Sequence, residues 1–376
     1  MESNESVENR LHPQLWPLVK HCLANENLLL HGGLVNIKNL RSSAPSSDHQ
    51  SNCDRFTITV PYCTVTLECE VLFDYRDAVQ PPDVILGSNK QLFSPQIETI
   101  RAFHEWDIND ESSLSRLIEE ILKLYRDHQQ VLVSSNQRLQ FELNSLIENT
   151  SYTEVDVWSN NFADEKTIFL IPLNINFTKL PAYITKDNPG NASVALVVSF
   201  FPPDGSRVIP TLAMSPAAEK ILTQPKIPPW GTECGSCLMD YVPGVGKHLE
   251  EMVSNMEKNY TKRQEYIAAM LSYFGRAVLE YDIESYMHIN FLFDYKRFSL
   301  IVILELSDSF PQKQPVIKLR SIYHRLNGQP CQSVIDSYPY SPRWNTIMMV
   351  EKLRDYLIET IPKFMELSLK QGKWIT

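Results

Sequence analysis

The chain has 376 residues, too many for one ordinary core, so two or three domains are expected. Hydrophobic residues make up 43% and charged residues 21%, a balance that excludes an intrinsically disordered chain. The net charge of −10 repels phosphate backbones, and no Lys/Arg cluster larger than Lys262-Arg263 offsets it, so nucleic acid is not expected as a ligand.

The start, Met1-Glu2-Ser3-Asn4-Glu5, is acidic and polar, unlike a secretory signal. The longest apolar run, Phe298 to Leu306, is interrupted by Ser299 and Glu305 and falls short of the ~18 residues a membrane span needs. The expected location is therefore cytoplasmic and nuclear, with no membrane partner. Seven irregularly spaced cysteines, Cys22, Cys53, Cys63, Cys69, Cys234, Cys237 and Cys331, read as free thiols in such a compartment.

In chain order, the first segment predicts a helix over Arg10–Ala24, weakened by Pro13 and Pro17, then strands at Leu34–Leu40, Arg55–Pro61 and Thr64–Phe73. Gln80-Pro81-Pro82 forms a loop before a strand at Asp83–Leu86. After Trp106, Ser112 or Ser113 can cap a helix whose stripe is Leu114, Leu117, Ile118, Ile121 and Tyr125. The helical pattern of Ser113–Ile147 runs on into a second segment through Leu139, Leu143 and Leu146.

That segment predicts strands at Glu154–Trp158, Lys166–Phe177, Ala192–Phe201 and Val208–Met214, with a turn at Pro202-Pro203-Asp204-Gly205. Ser215-Pro216 opens a short helix through Leu222, and Pro225–Cys237 is a loop. From Val245, the residues Leu249, Met252, Met256 and Tyr260 predict a helix that joins the one carrying Tyr266, Ile267, Met270, Leu271 and Phe274. Strands follow at Ala277–Tyr281, Met287–Phe293, Phe298–Leu306 and Val316–Leu319. The proline-bracketed loop Phe310–Pro315 precedes the last of them. A long loop through Tyr338–Trp344 then leads to a helix capped by Asn345 and bent or ended by Pro362.

Helix, strand meander, proline loop, last strand and closing helix recur, which predicts an α+β fold of tandem modules joined by long helices as a semi-rigid rod. The expected bounds are 1–133, 134–260 and 261–376. The alternative is two such units flanking an unrelated middle.

The run Phe310-Pro311 … Gln314-Pro315-Val316-Ile317-Lys318-Leu319, then His324, then Tyr340-Ser341-Pro342-Arg343-Trp344 before a helix, resembles the ubiquitin-conjugating fold. Pro81-Pro82-Asp83-Val84-Ile85-Leu86 echoes it. Asn52-Cys53-Asp54-Arg55-Phe56, Lys262 to Ala269 and Tyr338 to Trp344 more specifically resemble the BRE (brain and reproductive organ-expressed) family. The resemblance implies ubiquitin-conjugating-enzyme-variant (UEV/RWD-like) modules. It also implies a non-catalytic scaffold role in BRISC and in the related nuclear DNA-damage complex, which remove lysine-sixty-three-linked ubiquitin chains. The implied partners are a zinc-dependent JAMM/MPN peptidase subunit, an MPN pseudo-enzyme subunit, a von Willebrand A-type subunit and ubiquitin.

Read for chemistry, the residues offer little. A conjugating enzyme needs a cysteine thiolate beside an oxyanion-stabilising amide. Cys331 follows His324 by seven residues, but Arg325-Leu326 stands where the family has Pro-Asn, and the cysteine comes too early. An active conjugating enzyme using Cys331 and a generic RWD-type interaction protein are the alternatives to the scaffold. Cys234-Gly235-Ser236-Cys237 could be half a zinc site or a redox pair, but the nearest further ligand is His248 and no second pair exists. There is no His-x-His with a following Asp for a JAMM zinc and no phosphate-cradling glycine loop. No cofactor, metal or catalytic residue is therefore expected. Candidate partner-binding residues are Tyr340, Arg343 and Trp344, with Arg and Trp common at hot spots, together with Met252 and Met256. The competing reading puts Trp344 beneath the last helix and the methionines in a core.

Overall fold

The computed structural model describes residues 7–25, 35–43, 52–74, 79–86, 93, 95–96, 99–152, 154–159, 166–186, 191–202, 205–232 and 234–374. Met1–Glu5, Leu34, Pro203 and Asp204, all used in the reading above, lie outside them. The fold is α+β, with helices and antiparallel sheets in separate stretches. The chain forms two compact units, Met1–Ile175 with Pro189–Leu249, and Asn176–Asn188 with Glu250–Thr376.

Unit 1 holds two antiparallel meanders. The first is β1 (Asn36–Arg41), β2 (Arg55–Tyr62), β3 (Val65–Leu72) and β4 (Asp83–Leu86), in that order. The second is β5 (Asp156–Trp158), β6 (Thr167–Leu173), β7 (Val194–Phe201) and β8 (Arg207–Met214). β2 and β3 alternate, placing Phe56, Ile58, Val60, Leu67, Cys69 and Val71 inward. Onto them pack Leu18, Val19 and Cys22 of the helix Trp16–Ala24, and Leu114, Ile118, Leu122 and Tyr125 of the helix Ser113–Val133. The same core includes Ile168 and Leu170 of β6 and Ala195 and Val197 of β7. The two meanders thus share one core, and the predicted separation of a first and second segment by a helix does not extend to their packing. β6 and β7 are buried almost throughout, because they are covered on both faces.

The helical run predicted over Ser113–Ile147 is two helices. It breaks at Ser134–Asn136, where the Asn136 side chain accepts from the N–H groups of Arg138 and Leu139 at 3.0 and 3.2 Å and caps the helix Gln137–Asn149.

Unit 2 is built on one sheet ordered β13-β12-β11-β10-β9: β9 (Val278–Tyr281), β10 (His288–Tyr295), β11 (Phe298–Glu305), β12 (Val316–Leu326) and β13 (Gln329–Ile335), with β14 (Lys373–Trp374) pairing to β12. Tyr266, Ile267 and Met270 from the helix Leu238–Phe274 and Val350, Leu353, Leu357, Ile361 and Phe364 from the helix Thr346–Gln371 cover its inner face. Each fully buried side chain of this kind contributes about 2 kcal/mol of transfer free energy.

Three expectations are corrected here. β12 extends seven residues past Leu319 and pairs with β13, where a long loop was expected; the turn is Asn327-Gly328, with φ of 53° and 81°, the left-handed pair a two-residue hairpin requires. The final helix is not ended by Pro362 but continues to Gln371. The helix expected from Val245 starts at Leu238 and runs unbroken to Phe274, through Pro243, Gly244 and Gly246. Those glycines are there for space: a Cβ on Gly244 would stand 2.8 Å from Cys234 Sγ, and one on Gly246 2.6 Å from the Tyr152 hydroxyl.

Candidate partner-binding surface

In unit 2 the loop between β13 and the Thr346–Gln371 helix carries three of the predicted residues. Asn345 caps the helix, accepting from Met348 N–H at 2.8 Å. Trp344 is half-buried and packs against the unit 2 core. Tyr340 is half-buried and donates its hydroxyl to the Pro311 carbonyl at 2.6 Å, tying the loop to the cis Phe310–Pro311 segment. Burial raises the pKa of both Tyr338 and Tyr340 above the ordinary phenol range. Arg343 alone of the three is exposed. Met252 and Met256 sit half-buried on the long helix, around the buried Val253. The loop residues and the methionines thus stand on different elements.

The positions weighed for catalysis are closed. Cys331 is on β13 with 1% of its surface exposed, inside the unit 2 core. His324 is equally buried; its Nδ1 lies 3.0 Å from Ser368 Oγ, and its ring stacks on Phe298. In unit 1, burial pushes the thiols of Cys22 and Cys69 up to about 12 and that of Cys63 well above its ordinary range. Cys237 is half-buried; its thiol donates to Asp240 Oδ2 at 3.1 Å, and burial followed by that bond raises its pKa. His248 Nε2 is taken by the Lys226 carbonyl at 3.0 Å. Among the described residues no three His, Cys, Asp or Glu side chains gather as a metal site, and no helix is long and apolar enough to cross a membrane.

One group was missed by sequence reasoning. Arg263 is 2% exposed, and its guanidinium donates in three directions: to the Ser285 carbonyl (3.0 Å), the Asp308 carbonyl (3.2 Å) and the Tyr183 hydroxyl (2.8 Å). Tyr183 stacks on Tyr260, which meets Tyr286 at 5.6 Å. Lys186 adds an ion pair with Glu284 at 3.0 Å. Arg263 therefore holds the helical turn Ala182–Thr185, part of the connection between β6 and β7, within unit 2. The fork of planar donors suits this task; a lysine could not make the three bonds.

Comparison with known proteins accounts for the length and order of the whole chain. The family model of the brain and reproductive organ-expressed protein matches residues 9–325. A Branchiostoma floridae protein named "BRISC and BRCA1-A complex member 2" is 36% identical over 384 aligned residues, 99% of this chain and 100% of its own. A Danio rerio protein of the same name is 34% identical over 387, with 99% of each chain covered. The chain belongs to the brain and reproductive organ-expressed protein (BRE) family.

Proposed function

We propose that the chain is a non-catalytic scaffold subunit of an assembly that removes lysine-sixty-three-linked ubiquitin chains. It joins a JAMM/MPN zinc peptidase and its MPN pseudo-enzyme partner to a von Willebrand A-type subunit, with ubiquitin as a further contact. Its work lies in ubiquitin signalling and the DNA-damage response, in cytoplasm and nucleus. The three sheets with their helices are read as UEV/RWD-like modules bounded at 1–133, 134–260 and 261–376.

The observation that carries this reading is end-to-end similarity to relatives named as members of such complexes. The non-catalytic half is supported by the sealed position of Cys331: a thiol that carries a thioester must be reached by two proteins, and this one is 1% exposed. Arg343 is the exposed member among Tyr340, Arg343 and Trp344, and it is the residue assigned to the partner.

Tagged chain purified from its own cells is expected to bring down a JAMM-type peptidase subunit, and recovery is expected to fall about tenfold in Arg343→Glu, the loss of a ~1.4 kcal/mol contact. Recovery of no such subunit overturns the assignment. Incubation with ubiquitin, activating enzyme and ATP is expected to give no reducible adduct; an adduct lost in Cys331→Ser would favour the conjugating enzyme instead.

A further inference from the structure

The loop after β13 contains Pro339-Tyr340-Ser341-Pro342, whose serine and prolines the partner reading does not use. We propose that Ser341 is a phosphorylation site for a proline-directed serine kinase of the mitogen-activated class, with Mg·ATP as donor. Such kinases need a short extended segment with an accessible hydroxyl, a proline directly after it and a second proline two residues before.

The loop supplies both prolines and a partly exposed hydroxyl, and the short turn Ser341–Trp344 opens to give the extended form. A residue before proline is driven to extended backbone, and here that applies to both Tyr338 and Ser341. Pro339, Pro342 and Arg343 are exposed and Ser341 is half-exposed. Among the described residues the backbone between Tyr340 and the helix is held by turn bonds alone: Trp344 N–H to the Ser341 carbonyl at 3.1 Å, and Arg343 N–H to Ser341 Oγ at 3.3 Å. The Ser341 hydroxyl thus accepts one weak bond. The other described Ser-Pro step is the opposite case. Ser215 is 5% exposed, and its Oγ accepts from Ser193 N–H and Ala218 N–H while donating to the Asn191 carbonyl. Ser94, of the Ser94-Pro95 step, lies outside the described residues.

In the reaction Ser341 Oγ attacks the γ-phosphorus of ATP. The new O–P bond forms as the bond to the β,γ-bridging oxygen breaks, ADP leaves, and the hydroxyl proton passes to the kinase's catalytic carboxylate. The product carries about −1.5 to −2 charge at neutral pH. It sits two residues from Arg343, whose guanidinium makes no bond among the described residues and suits pairing with a phosphate. The site does not depend on the partners proposed above.

The test treats the full chain with an activated mitogen-activated-class kinase and Mg·ATP, alongside a Pro-x-Ser-Pro control peptide. Fragmentation of the tryptic peptide ending at Arg343 is expected to place the phosphate on Ser341 and not on Ser333 or Ser337. Both Ser341→Ala and Pro342→Ala are expected to lose at least nine-tenths of it. The second variant keeps the hydroxyl, so loop collapse in the first cannot mimic the result. Full modification of the control with no phosphate on Ser341, or incorporation unchanged in Pro342→Ala, overturns the proposal.

Discussion

Arg126 in unit 1 and Arg263 in unit 2 both fasten a distant stretch of chain, with partners of opposite character. Arg126 Nε meets Asp156 Oδ1 at 2.7 Å and ties the Ser113–Val133 helix to β5. Arg263 meets two carbonyls and a phenol, and among the described residues no carboxylate pairs with it. In unit 1 the charges cancel, yet burial raises the Asp156 pKa, and the pull of Arg126 offsets this only in part. In unit 2 the charge is shared over neutral dipoles, none of which titrates near neutral pH, since Tyr183 is itself pushed up by burial. One fastening responds to pH and the other does not.

The sign follows from proton linkage. A raised folded pKa means that the folded state holds the Asp156 proton more tightly than the unfolded chain. Its contribution is therefore full below the unfolded value near 4. It declines as pH rises through the raised folded value.

The largest expected effect is Arg263→Ala, which removes three charge-assisted hydrogen bonds made by a buried guanidinium and should cost about 3–5 kcal/mol in denaturant unfolding. Amide exchange over residues 176–186 should quicken, and Arg263→Lys should restore less than half. A loss below ~1 kcal/mol would remove Arg263 from the comparison. Next, Arg126→Ala leaves Asp156 buried and unpaired, costing about 3 kcal/mol at pH 7. That loss should shrink as the pH is lowered toward 4, whereas the Arg263→Ala loss stays level; equal pH profiles would break the contrast.

A third change touches neither arginine. The β10–β11 turn, Lys296-Arg297, has φ of 47° and 67°, a conformation that asparagine and glycine hold more readily. Lys296→Asn with Arg297→Gly should stabilise unit 2 by about 1 kcal/mol, read as a higher Tm. The smallest effect is expected at Glu142, whose Oε2 accepts from Leu238 N–H at 2.7 Å. Burial raises its pKa, so stability from this group also falls as pH rises. Glu142→Gln keeps the acceptor; it should change stability by less than about 1 kcal/mol at pH 7 and flatten that slope.

Much of the fold was legible where the local signal was self-sufficient. β4 was bounded at Asp83–Leu86, and the stripe Leu114, Leu117, Ile118, Ile121 and Tyr125 is buried as periodicity required. β13 was missed although Asn327-Gly328 is a strong hairpin signal, because its strand, Gln329–Ile335, begins Gln-Pro, is mostly exposed and buries only Cys331. The early turns of the long helix were missed because Pro243, Gly244 and Gly246 oppose helix locally, and only packing against Cys234 and Tyr152 accounts for the glycines. Of the candidate surface, Trp344 and Tyr340 were named, but burial was weighed for Trp344 alone. Arg263 was unreadable: its neighbours Lys262, Gln264 and Glu265 are exposed, and one of its partners lies 80 residues away.

The seven free thiols divide by depth. Four are sealed in unit 1 (Cys22, Cys53, Cys63 and Cys69), Cys331 is sealed in unit 2, and Cys234 and Cys237 stand nearer the solvent. Each unit thus contains its own chemical clock. A maleimide added to the native chain would label the loop pair first, and each later alkylation would time the opening of the core that hides it, for the two units separately and in one experiment.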